Sequence, residues 1–354
     1  MKSEYSTTSP VLPFDVIALI IDIVGENKDT DLLKELALVA HSFHQICIKH
    51  LFTNVDLHDA KPKYHLASSK KGFVKLVKSR PNVVNYIRKL TYKVSGDNDE
   101  HLLSPILSNF LPTTSRLNCL TINGSYLNWN ALDSSLASAF LHLISLPTIN
   151  HIDLSNIANF PLSSLASSVN LLRLDMTFLR CLNYPDEDNY FKTVQSEMLP
   201  KTREFHTSHS YQPTKKLLDV KGQDGRPVFN FMDLRQRSMS FVRKKEPIIR
   251  YLLHNAKLLE RLHLYVEIGQ SLVGLLSTCT PTLKVLDLSA SLYRSSYGVH
   301  PLAGLCEESK AMAGYNTLEV LSFEVHVNSH YTEDSLEFAS FEQHSDAFFL
   351  IHPH

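Results

Sequence analysis

Two hydrophobic rhythms divide this chain. Over the first fifty residues apolar side chains recur at helical spacing, and from about residue 87 they recur as a short strand-like motif. The first helix opens at Pro13, whose missing N–H is tolerated in a first turn, and Asp15 follows where the helix dipole favours an acid. Val16, Ile17, Leu19, Ile20, Ile21, Ile23 and Val24 then cover most of its circumference, until Gly25 and a polar stretch end it. A second helix runs over Leu32–Val39, with Asp29, Thr30 and Asp31 as candidate caps. A third is predicted from Ser42, at capping-box spacing from Gln45, with Phe43, Ile46, Cys47, His50 and Leu51 on its apolar stripe. Three short helices cannot bury so many apolar side chains among themselves, and a helix apolar all round must be covered on both sides. The module needs an outside partner.

The second rhythm is apolar, two residues, apolar, one residue, apolar. It appears at Ile87–Tyr92, Leu117–Ile122, Ile149–Leu154, Leu171–Met176, Leu259–Leu264, Leu283–Leu288 and Leu318–Phe323, with a weaker copy at Thr202–Thr207. Helical patterns lie between copies, such as Leu132, Leu136, Phe140, Leu143 and Ile144. No copy can bury its own apolar face, so neighbours must stack as repeats of strand and helix. The gap from about 208 to 258 has no clear copy and reads as a basic insertion or a degraded repeat. Within each copy the apolar positions face inward and the alternate residues face the other side of a sheet. That polar face carries the candidate ligand-binding residues Lys89, Lys93, His151, Arg173, Arg261, His263 and Tyr265.

Leu12-Pro13, Val16-Ile17, Ile20-Ile21, Leu32, Leu36–Val39, Phe43 and Leu51-Phe52-x-x-Val55 together resemble an F-box over about residues 11–56. Phe43 stands where many members have Trp, and Ala40-His41 where many have Ser followed by a basic residue. An F-box followed by degenerate leucine-rich repeats is similar to many fungal F-box proteins. The resemblance implies an α/β fold in which a three-helix F-box precedes a leucine-rich-repeat solenoid. It also implies a role as the substrate-recognition subunit of a ubiquitin ligase, joined by a Skp-type adaptor to a cullin scaffold. Leu12, Pro13, Val16, Ile17, Ile20 and Leu32 are then the adaptor contacts, while Val39, Phe43 and Leu51 hold the module together. The repeats would bind a protein substrate, with no catalytic group, cofactor or metal in the receptor itself. The alternative is a leucine-rich scaffold without a ligase role, its N-terminal helices a cap.

These readings divide the chain into a disordered tail over 1–10, an F-box over 11–58 and a basic helical linker over 59–86. Repeats follow over 87–326 with the basic stretch at about 208–258, then an acidic tail over 327–354. Charge sharpens this division. The formal net charge is −1, yet residues 61–93 hold ten Lys/Arg and no acid, and 201–257 hold thirteen against five acids. Such lopsidedness suggests sided contacts with partners, without the global field expected of a nucleic-acid or membrane binder. The 201–257 stretch could hold an acidic or phosphorylated motif, because guanidinium forks pair well with phosphate, or could equally be a kinase target, a nuclear-import signal or a disordered loop.

Five cysteines, odd in number and never as Cys-x-x-Cys, read as free thiols of a reducing compartment. Neither a signal-peptide layout nor a membrane-length apolar run is present, so a cytoplasmic or nuclear location is expected. Eighteen histidines invite a search for metal, but none stands at ligand spacing with a cysteine or acid. Phosphate-cradling glycine loops and a Gly-x-Ser-x-Gly elbow are also missing.

Overall fold

The computed structural model describes residues 12–58, 70–94, 102–180, 200–219, 221, 227–229, 231–241, 246–266, 272–276, 281–292, 304–312 and 317–327. The predicted tails, residues 59–69 of the linker and parts of the basic stretch lie outside them, Val327 excepted. The fold is α/β. Ten strands form one parallel sheet whose order follows the sequence, with helices in the connections. The chain divides into two compact units, residues 1–122 with 133–148, and residues 123–132 with 149–354.

The first unit opens with α1 (Phe14–Glu26), α2 (Thr30–Val39) and α3 (His41–Leu51). α1 closes on a Schellman turn: Asp29 N–H bonds to Val24 C=O at 3.3 Å, and Lys28 N–H to Gly25 C=O at 3.1 Å. Lys28 takes the left-handed position there, at φ 59°. Asp29 is the cap of α2, accepting from Leu32 N–H at 3.1 Å. α3 departs from expectation. It starts at His41, with Ala40 extended before it, so Ser42 sits inside the first turn and makes no capping bond.

Ile21, Leu33, Ile46 and Cys47 form the buried centre of the helices, ringed by Ile17, Ala18, Val24, Leu36, Ala37, Phe43 and Leu51. His50 locks α1 to α3 by bonding Asp22 across 2.7 Å, and its ring lies where a side chain at Gly25 would stand. The chain then enters β1 (Asn54–Leu57), which pairs with β2 (Lys89–Lys93). Thr53 C=O accepts from Arg88 and Lys89 N–H at 2.8 and 3.0 Å, and the Arg80 guanidinium donates to His44 at 2.7 Å. The helices are thus built into the sheet's first strands, and the compact units do not divide at residue 58.

The described part of the linker is helical, as α4 (Lys70–Ser79) and a 3-10 turn over Pro81–Tyr86. α4 buries Phe73, Val74 and Val77 together with Lys70, whose ammonium lies 4.9 Å from the Tyr92 ring centre. α5 (Ser104–Leu107) and α6 (Ser134–Ile144) complete the unit, with Phe140 edge-on to Tyr92 at 5.0 Å. β3 (Cys119–Asn128) begins in this unit and ends in the second.

The second unit carries β4 (His151–Ala158), β5 (Arg173–Thr177), β6 (Glu204–Ser208), β7 (Gln236–Phe241), β8 (Arg261–Val266), β9 (Val285–Leu292) and β10 (Val320–Val327). Each six-residue copy of the motif, the weak one included, has a strand starting at its third residue. Inward residues such as Ile152, Leu154, Leu174, Met176, Leu262 and Leu264 are wholly buried. α7 (Tyr211–Asp219), β7 and α8 (Glu246–Asn255) lie inside the stretch of about 208–258. That stretch is not an interruption: β7 pairs with β6 on one side and β8 on the other. Its copy went unseen because Arg237 stands where the motif calls for an aliphatic residue. Arg237 is 1% exposed, its guanidinium 5.5 Å from the Phe205 ring centre.

Farther along, α9 (Leu305–Met312) supplies Glu308, a buried carboxylate that accepts from the N–H groups of Gly274 and Leu276. From α8, Arg250 donates to the carbonyls of Gly274 and Val273 at 2.5 and 2.9 Å. One connecting segment is therefore held from both neighbouring helices. Its Gly274 has φ +69°, a conformation that glycine takes without a steric penalty.

Candidate partner-docking surfaces

α1 has two apolar sides and covers only one. Ile17, Ala18, Ile21 and Val24 face the helical core at i, i+1, i+4 and i+7. Val16, Leu19, Ile20 and Ile23 form a second stripe at i, i+3, i+4 and i+7, and all four are exposed, Leu19 at 59% and Ile20 at 45%. Leu12 and Phe14 extend it toward the N-terminus, and Pro13 is exposed as well. On α2, Leu32 is exposed, and so are Leu38, at 87%, and Val39. Contiguous bare apolar surface of this kind marks a contact surface.

Five of the six predicted adaptor residues, Leu12, Pro13, Val16, Ile20 and Leu32, are therefore open, and Ile17 is turned inward onto Ile21 and its neighbours. Val39 moves the other way: expected to hold the module together, it lies on the surface, whereas Phe43 and Leu51 do pack on the core. Phe14, Leu19 and Ile23 belong to the open stripe although the motif did not single them out. The signal for Leu19 and Ile23 was present in their helical spacing from Val16.

The polar strand face is split between the units. Lys89 and Lys93 are exposed on β2 in the first unit, with Asp56 on β1 opposite Thr91, midway between them. In the second unit, β4, β5 and β6 bring a charged group together. His151 lies opposite Arg173, which lies opposite Glu204; one step along, Asp153, Asp175 and His206 are aligned. Asp175 is central. It bonds His151 at 2.8 Å, accepts from Arg173 Nε at 3.0 Å and has His206 Nε2 at 3.8 Å. Burial pushes its carboxyl upward, but the His151 bond and the charges of His206 and Arg173 outweigh that and hold it below the ordinary carboxylate range. His206 is pushed below the usual imidazole range chiefly by burial, against the pull of Asp175.

Arg173 also reaches Glu204 at 3.4 Å, so its charge is matched from both sides. Of the remaining predicted residues, Arg261 is exposed on β8, His263 is half-buried with Ser289 Oγ at 3.2 Å, and Tyr265 is half-buried. Asp175, Glu204 and His206 emerge as partners of His151 and Arg173 only once the strand register is known. Among the described residues no group of three or more His, Cys, Asp and Glu side chains could hold a metal ion, and no helix is long and apolar enough to cross a membrane.

No protein-family model matches this chain, and a search of curated proteins finds no match to it.

Proposed function

We propose that this protein is the substrate-recognition subunit of a Skp–cullin–F-box ubiquitin ligase, its N-terminal helices docking a Skp-type adaptor and its repeat strands holding a protein substrate. The observation that carries the reading is the open apolar stripe of α1, Val16, Leu19, Ile20 and Ile23, beside the covered one. Burying such a side chain fully is worth about 1.5–3 kcal/mol, and these four are about half exposed, so each has roughly half of that to gain from a docked partner. On this reading the sheet acts as a leucine-rich-repeat surface, and the receptor contributes proximity rather than a catalytic group. A lysine of the substrate is held near the conjugating enzyme. The test is co-purification of the full chain with a Skp-type adaptor. Wild type should bind, and Ile20→Asp, which puts a charge into the apolar contact, should bind at least about tenfold more weakly. No binding by wild type, or equal binding by both, rejects the proposal.

A second reading has its own observation. The joining of α3 to the first strands through Thr53, and of Arg80 to His44, suits helices that serve as an N-terminal cap of a binding scaffold. A cap leaves the bare stripe of α1 unexplained. It predicts a monodisperse chain that an adaptor neither binds nor changes.

A further inference from the structure

We propose that the polar face of β4–β6 binds a helical protein segment lying across the strands, with lysine or arginine recurring about once per turn on the side that meets the sheet. This rests on the reading of the repeat face as a substrate-binding surface and names the class of segment it takes.

The first argument is spacing. Three rows cross these strands in register: His151, Arg173 and Glu204; Asp153, Asp175 and His206; Ser155, Thr177 and Ser208, the last closing the row on β6. Neighbouring members of a row are one strand apart, about 4.8 Å. An α-helix advances about 5.4 Å per turn, so a helix across the strands drifts only about 0.6 Å per strand. Over three strands its successive turns stay in step with the successive strands along a row. An extended segment laid the same way repeats its same-side residues about every 6.6–6.8 Å, and loses register by about 2 Å at the first step.

Charge is the second argument. The face of β4–β6 carries three carboxylates, Asp153, Asp175 and Glu204, against one guanidinium, Arg173, and two imidazoles, His151 and His206, both beside Asp175. Burial lowers the His206 pKa, against the pull of Asp175, so the imidazole is a weaker counter-charge here than the guanidinium. A cationic partner fits this surface and an anionic one does not.

The run of charged residues breaks after β6, where the first two rows continue as half-exposed but uncharged Gln236 and Ser238 on β7. The hydroxyl row continues through Ser240, Tyr265 and Ser289, but Ser240 and Ser289 are buried while Ser155, Thr177 and Ser208 are half-exposed. Ser240 is already bonded to Ser208 at 3.2 Å. Farther along the first row stands exposed Arg261, which repels a cation. Three strands, and so about three turns of helix, define the site.

The experiment uses the full chain and three labelled peptides of about 16 residues, long enough for helix to form. One is an alanine–lysine helix with lysines at i, i+4 and i+7. The second is the same peptide with a central proline in place of one alanine, and the third has glutamate for lysine. Fluorescence anisotropy should show binding of the first alone, weakening as salt rises. Glu204→Gln, at a half-exposed position that leaves the core intact, should weaken it roughly two- to fivefold, the range of a partly exposed ion pair. Asp175→Asn should weaken it further. The proposal is overturned if the lysine helix does not bind, if the proline or glutamate peptide binds as well, or if Glu204→Gln has no effect. Adaptor binding by the same samples separates the two proposals: its loss with peptide binding intact removes only the ligase assignment, and the reverse removes only this one.

Discussion

α1 and the strands of the second unit use the same aliphatic residues and dispose of them differently. Along β4, β5 and β8 the inward positions Ile152, Leu154, Leu174, Met176, Leu262 and Leu264 are wholly buried, and the intervening positions are polar. Along α1 the core side is covered, yet Val16, Leu19, Ile20 and Ile23 stand in solvent. A strand that alternates apolar with polar residues can satisfy both faces within the chain. A helix apolar on two sides cannot, unless something outside covers the second. The contrast separates residues that maintain the fold from residues held ready for contact.

The sharpest way to break the contrast is truncation. Leu174→Ala should cost about 2–5 kcal/mol, because it empties a fully packed site, whereas Ile20→Ala should change stability by less than about 0.5 kcal/mol. Thermal denaturation of the two variants checks this, and equal losses would mean that α1's outer stripe is buried in the free protein. Next in size is Glu308. Removing its carboxylate with Glu308→Ala takes the acceptor from the buried N–H of Leu276, at about 1–3 kcal/mol, and from the half-buried N–H of Gly274, which water can reach at less cost. Glu308→Gln, which keeps an acceptor, should lose less in urea denaturation.

Acid should act on the second unit in two steps. His206 has a folded pKa below its unfolded value, so its share of stability is full above the ordinary imidazole range. That share is lost as pH falls below about 6.5 toward the folded value. Asp175 is likewise lowered, so its share is present above about 3.9 and disappears as pH falls through its folded pKa. Both steps weaken the fold on acidification. His206→Asn should flatten the upper step and leave the lower one, as read from denaturation midpoints between pH 7 and 5. The smallest effect concerns α1 itself: Lys28→Gly, at the left-handed residue of its terminal turn, should stabilise by up to about 1 kcal/mol without altering partner binding.

Most of the architecture was legible in the sequence because it is written in local periodicity. Apolar-x-x-apolar-x-apolar located eight strands, and the outward spacing of α1 announced a surface in need of cover. β7 was hidden because one buried arginine, Arg237, replaced the aliphatic residue that defines the motif. β1 was hidden because its four residues follow directly on a helical module. Ile17 and Val39 exchanged roles because a motif aligns residues without giving the rotation of each helix. The Asp175 group was illegible for a different reason. His151 and Arg173 are 22 residues apart while Arg173 and Glu204 are 31 apart, so connections of unequal length conceal which residues meet across strands.

The bare side of α1 is the proposed docking face. Calorimetric titration of the full-length chain with a purified Skp-type adaptor, for wild type and Ile20→Asp, tests this most directly. Wild type should bind saturably, the variant should lose at least about tenfold in affinity, and the two free proteins should be equally stable to heat. Wild type that does not bind, or a variant that binds as tightly, would contradict the docking role of α1.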